Sequence, residues 1–184
     1  ELDRIIPLYK DRLNFIFYDN MTISEIISKV SVLSRDSLIL LTFYFKDAAG
    51  NLFEYMESTT IITSHSSVPV YSTWDFNLGF GIVGGKLTSG SHQGMAAAVL
   101  ARRILSGEKP DSVPIVRESP NRYMFDYNQL EKFKISLSML PAGSIIINTP
   151  DTLYSRYKTV IWSVSIIIIV LVSVIGVLTV NILE

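Results

Sequence analysis

At 184 residues the chain is long enough for one compact domain and a further segment, and its 16 basic and 17 acidic residues leave a formal charge of −1. That near-neutral balance provides no basic excess for binding nucleic acid or an anionic membrane surface. The absence of cysteine excludes both a disulfide framework and a thiolate metal site.

Leu2, Ile5, Ile6, Tyr9 and Leu13 recur at helical spacing, so the chain is expected to begin inside a helix. Leu13-Asn14-Phe15-Ile16-Phe17 is a predicted strand. Thr22-Ile23-Ser24-Glu25 has the form of a capping box, and Ile23, Ile26, Ile27, Val30 and Leu33 make one apolar stripe behind it. Leu38 to Phe43 is a continuous apolar run, as expected of a strand buried on both faces. Asp47-Ala48-Ala49-Gly50-Asn51 is a turn. A helix is predicted between Glu54 and Ser64, although Thr59, Thr60, Ile61 and Ile62 are β-branched. Val68 to Tyr71 is a short strand. This alternation of helix and strand predicts an α/β domain with a parallel sheet.

Gly79, Gly81, Gly84 and Gly85 surround Ile82 and Val83 in a stretch that reads as a flexible crossing segment. A helix is predicted from Ser91 to Ser106, closed by Gly107 with Pro110 soon after. Its Ala96, Ala97, Ala98 and Ala101 form a small-residue face suited to close packing. A strand at Val113 to Val116, a turn at Ser119-Pro120-Asn121, a helix from Asp126 to Phe133 and a strand at Ile145 to Ile147 follow. Thr159 to Leu183 then carries no charged side chain. At about 1.5 Å per residue its 25 positions make a helix of about 37 Å, enough to cross a hydrocarbon core of about 30 Å. Tyr154, Tyr157 and Trp162 suit the membrane–water boundary. The expected organisation is therefore a soluble domain over 1–150, a juxtamembrane linker over 151–158 and a transmembrane helix over 159–183. Arg156 and Lys158 alone would place the soluble body in the cytoplasm by the positive-inside rule. Because Glu1 is not an initiator Met, the chain is expected to be a fragment or a processed product.

Catalytic patterns are weak. Gly79-Phe80-Gly81-Ile82-Val83-Gly84 has the letters of a dinucleotide fingerprint, but that motif must leave a strand and open a helix at once. Here Gly85 to Gly90 intervenes. His65 and His92 have no sequence partners at metal-ligand spacing, and no nucleophile-elbow pattern occurs. No catalytic residue, metal site or cofactor is expected. Ligand binding has better support, because parallel α/β sheets hold ligands beyond the carboxyl ends of their strands. The first candidate strand runs into Tyr44, Phe45, Lys46 and Asp47, and the second, Val68 to Tyr71, runs into Ser72, Trp74 and Asp75. Of these, Tyr44, Lys46, Asp47, Tyr71, Trp74 and Asp75 are the six candidate ligand-binding residues. In the competing structural reading, Tyr71 and Trp74 cap the core and Asp47 holds a turn.

The runs LILLTFYFKDAAGNLF, VPVYSTWDFNLGFGIVGG and HQGMAAAVLARRILSGEKP, followed by NRYMFDYNQLEKFKIS and LPAGSIIINTP before the membrane span, carry a family resemblance. In that order they resemble the C-terminal half of a type I periplasmic binding protein, specifically the sensor regions of bacterial membrane signalling receptors. The resemblance implies two α/β lobes joined by three crossings, with a small molecule held between them. This chain would supply the second lobe, Gly81 to Leu87 would be the third crossing, and the helix at Ser91 to Ser106 would pack on the absent first lobe. It implies an extracytoplasmic body, against the charge rule, and a receptor of the histidine kinase or cyclic-dinucleotide synthase type. The alternative is a membrane-tethered substrate-binding component of an ABC-type transporter. The expected partners are a small-molecule ligand, the membrane and a second copy through the membrane segment.

Overall fold

The computed structural model describes residues 2–151 and 153–183. The chain divides into two units, Glu1–Asn148 and Thr149–Glu184. The first unit is mixed α/β, with a five-stranded, mostly parallel sheet in the order β1-β2-β3-β4-β5. It opens with a short helix α1 (Leu2–Ile5) and a 3-10 turn (Ile6–Leu8), much less helix than the apolar spacing predicts. Residues 13–17, read as a strand, pair with no strand among the described residues and leave Ile16 and Phe17 exposed. Strand propensity expresses fit to a neighbouring ladder, and here no ladder accepts it.

Helix α2 (Ile23–Val30) starts as the sequence predicts: the Thr22 hydroxyl accepts from the Glu25 N–H, and the Glu25 carboxylate accepts from the Thr22 N–H. Two otherwise orphaned donors are satisfied, a cap worth about 1 kcal/mol. The strand β1 (Ile39–Leu41) follows, then α3 (Tyr55–His65) and β2 (Val70–Ser72). The apolar run at 38–43 yields an edge strand rather than one buried on both faces, and Leu40 is 50% exposed. On one side of the sheet Ile26, Val30, Leu41, Ile62, Val70, Ile82 and Leu87 form a core cluster. A second cluster joins Val83, Phe125 and Leu130, with Tyr71, Phe133 and Ile146 packed against it. Val70 and Tyr71 are adjacent in β2, so the two clusters lie on opposite faces of the pleat.

The glycine-rich segment corrects its sequence reading. Ile82 and Val83 are fully buried, and Gly84–Leu87 is β3, a central strand of the sheet. Gly81 has φ +96°, and a Cβ there would collide with the Thr63 hydroxyl. Thr63 in turn donates to the Phe80 carbonyl at 2.9 Å, so this approach to the sheet is packed against α3. The segment enters a strand instead of opening a helix, which removes the geometry a dinucleotide fingerprint requires.

The chain leaves the sheet after Leu87 and returns at β4 (Arg122–Asp126), which pairs antiparallel with β3 and sets Arg122 opposite Leu87. The parallel expectation fails at this one pair because both ends of the excursion 88–121 lie side by side. Within the excursion stands α4 (Gly90–Leu105), none of whose residues is buried. Its end is well made. The Gly107 N–H reaches the Ile104 carbonyl, the Glu108 N–H reaches the Arg103 carbonyl, and Gly107 has φ +99°, as a Schellman stop requires. The predicted strand at 113–116 is irregular, with Ile115 and Val116 exposed; the strand falls instead at β4. Asp126 caps α5 (Tyr127–Lys132) by accepting from the Asn128 N–H, and β5 (Ile145–Ile147) lies parallel to β4.

The second unit contains α6 (Leu153–Leu183). Within it Arg156–Gly176, 21 residues, is long and apolar enough to cross a membrane. The hydroxyls of Ser163, Ser165 and Ser173 each donate to the carbonyl four residues back, so these polar groups are satisfied within the helix and suit a hydrocarbon surrounding.

Candidate functional site

Strands β1 and β2 run parallel with Ile39 opposite Val70 and Leu41 opposite Ser72, so their carboxyl ends are level. Beyond β1, Phe43 and Phe45 share one side of the chain. The Phe43 ring lies 6.3 Å from that of Tyr55, the first residue of α3, and Phe45 lies 6.1 Å from the same ring. Phe43 also lies 5.3 Å from Trp74, which follows β2. Trp74 stacks on Phe76 at 5.6 Å with 23° between planes, and Phe76 lies 5.1 Å from Tyr55. Five rings from three elements thus form one cluster at the carboxyl end of the parallel strands. Phe43, Phe45 and Tyr55 are 51, 52 and 42% exposed. Trp74 and Phe76 are half-buried, so the cluster presents a partly exposed aromatic surface.

The six residues singled out from the sequence do not converge on one mouth. Trp74 is in the cluster. Asp75 opens the 3-10 turn Asp75–Asn77 between Trp74 and Phe76, its N–H donating to the Thr88 carbonyl at 3.1 Å. Tyr44 points the other way: its hydroxyl donates to the Met21 carbonyl at 2.9 Å, and its ring lies beside Phe53. Burial, reinforced by the carboxylates of Asp47 and Glu25, holds that hydroxyl's pKa above its ordinary value. Lys46 is exposed and pairs with Leu52 across the turn. Asp47, 5% exposed, accepts from the Asn51 backbone N–H at 2.8 Å and from Asn51 Nδ2 at 3.0 Å. The Asn51 side-chain bond is the main cause that keeps its pKa low. Tyr71 packs with Val83, Phe125 and Leu130, and its burial raises the hydroxyl's pKa. Asp47 therefore holds a turn and Tyr71 belongs to the core, as the structural reading had it, whereas Trp74 stands in the aromatic surface.

The cluster residues outside those six are Phe43, Phe45, Tyr55 and Phe76. A signal for the first two was present, since side chains alternate in an extended segment and Phe43 and Phe45 must face away from Tyr44 and Lys46. Tyr55 and Phe76 depend on how α3 and the turn after β2 are placed. Among the described residues no group of three His, Asp or Glu side chains stands close enough to hold a metal ion. What the cluster offers is stacking: several π faces, with the Asp75 carboxylate in the same turn. No family model, curated protein or solved structure matches the chain.

Proposed function

We propose that the chain is the ligand-sensing region of a single-pass membrane receptor, its α/β unit lying outside the cytoplasm as one lobe of a sensor like the type I periplasmic binding proteins. The observation that carries this reading is the partly exposed five-ring cluster at the carboxyl ends of β1 and β2, in a chain that also holds a helix able to cross a membrane. The ligand is a small molecule with a flat apolar part, which stacks on the rings around Trp74 while Asp75 attracts a donor or positive group. The rings form one wall and a second lobe supplies the other. Helix α4, with no buried residue, is the surface on which that lobe rests. Ligand that binds the closed arrangement better than the open one shifts the balance toward closure, and the membrane helix carries the change to a cytoplasmic output.

The test uses the full chain in lipid nanodiscs, challenged with small planar compounds that include indole. A ligand should raise the melting temperature with the logarithm of its concentration, the stabilisation reaching about 2.7 kcal/mol at a hundred times its dissociation constant. It should also change the fluorescence of Trp74 in a Trp162→Phe background. If no planar compound does either at millimolar concentration, the sensing reading is wrong for this surface.

A further inference from the structure

Beneath the aromatic cluster runs a chain of buried polar groups whose arrangement the ligand reading leaves unexplained. Asn77 ends the 3-10 turn that carries Trp74 and Phe76, and its side chain is 3% exposed. Its Oδ1 accepts from the Thr59 hydroxyl of α3 at 2.8 Å, and its Nδ2 donates to the Ser72 hydroxyl at the end of β2 at 2.9 Å. Thr59 and Ser72 are themselves buried. The Ser72 oxygen also accepts from the Trp74 N–H at 3.4 Å, and the Asn77 N–H donates to the Trp74 carbonyl at 3.4 Å. One amide thus ties the turn to helix and strand together, and Trp74 is bonded to this chain through both its N–H and its carbonyl. An apolar side chain of similar volume would fill the space but leave the Thr59 and Ser72 hydroxyls without their partner, which is costly in a buried place.

We infer that Asn77 is a positioning residue, which fixes the Trp74–Phe76 pair so that the stacked rings present one preformed surface. The inference rests on the ligand reading of that surface for its purpose, but not for its geometry. A side chain that merely contributed to stability would, when replaced, lower the melting temperature without changing how Trp74 is held. A positioning residue changes the environment of Trp74 even in protein that remains folded.

The experiment uses the full chain in nanodiscs carrying Trp162→Phe, so that Trp74 is the remaining tryptophan of the two. Asn77→Leu is compared with Thr63→Val, which removes a different hydrogen bond between α3 and the loop after the turn, that to the Phe80 carbonyl. Asn77→Leu should increase acrylamide quenching of Trp74 and abolish the near-ultraviolet circular dichroism of the coupled rings; Thr63→Val should leave both unchanged. Where indole binds the parent, Asn77→Leu should weaken it about tenfold, on the scale of one or two buried hydrogen bonds. If Asn77→Leu does not fold, Thr59→Val, which removes only the bond to Asn77 Oδ1 and touches no atom of Trp74's own bonds, decides the matter by the same signals. Equal loss of melting temperature in Asn77→Leu and Thr63→Val with an unaltered Trp74 signal overturns the inference. An altered Trp74 signal in a protein that binds no planar probe supports the positioning role and counts against the ligand reading alone.

Discussion

Phe43 and Trp74 lie 5.3 Å apart, ring centre to ring centre, although the turn at 47–51, α3 and β2 all lie between them in the chain. The parallel register of β1 and β2 brings them together, because it sets the two strand ends level. If this contact is part of a binding surface, Trp74→Ala and Phe43→Ala should each weaken a planar ligand by about tenfold, since an aromatic pair is worth about 0.5–1.5 kcal/mol beyond its buried area. Tyr44→Phe should leave that affinity unchanged and cost about 1 kcal/mol of stability through the lost Met21 bond. Isothermal titration and thermal melts of the three variants separate the two effects. A ligand lost with Tyr44→Phe but kept with Trp74→Ala would reverse the assignment of sides.

The Asp47 turn gives a pH dependence with a definite sign. Its folded pKa lies below the ordinary 3.8, so the folded state prefers the ionised carboxylate that accepts the two Asn51 donors. The contribution is fully present above 3.8 and is lost as pH falls through the lower folded value. Asp47→Asn should therefore be less stable than the parent at neutral pH, with the gap narrowing as the pH drops below 3.8. Melting curves between neutral and strongly acidic pH check this. A gap that stays constant throughout would show that the charge of Asp47 does not matter to the turn.

Gly81→Ala should be among the most damaging single substitutions in the α/β unit. A positive φ costs a non-glycine residue about 1–3 kcal/mol, and the added methyl also meets Thr63. Gly50 has a positive φ but open space around it, so Gly50→Ala should show the backbone cost alone. Adding Thr63→Ala to Gly81→Ala should recover part of the loss. Denaturant unfolding of the four proteins tests the argument, and equal costs for Gly50→Ala and Gly81→Ala would remove the steric part of it.

Ile168 lies near the middle of the Arg156–Gly176 segment. Arginine at the centre of a membrane helix costs about 2.5–3.5 kcal/mol of insertion, so Ile168→Arg should shift the full chain from the carbonate-resistant membrane fraction toward the soluble one. Ile168→Leu should not. Identical fractionation of both would mean that this helix is not what holds the protein to a bilayer.

Local patterns in the sequence were sufficient wherever the chain's own periodicity decides the outcome. The Thr22–Glu25 box, the Gly107 stop, the helix after Glu54, the strands at Val70 and Ile145 and the apolar segment before Leu183 all follow from capping chemistry, spacing or hydropathy within one stretch of residues. The tertiary structure decided what depends on a distant partner. Residues 13–17 and 113–116 have strand composition but no ladder to join, whereas Gly84–Leu87, poor in strand formers, becomes a central strand because its glycines fit between Ser72 and Met124. The aromatic surface is of the same kind. Tyr44 and Phe43 are adjacent and equally suited to it by composition, and only the direction each side chain takes from the end of β1 puts one against Met21 and the other against Trp74.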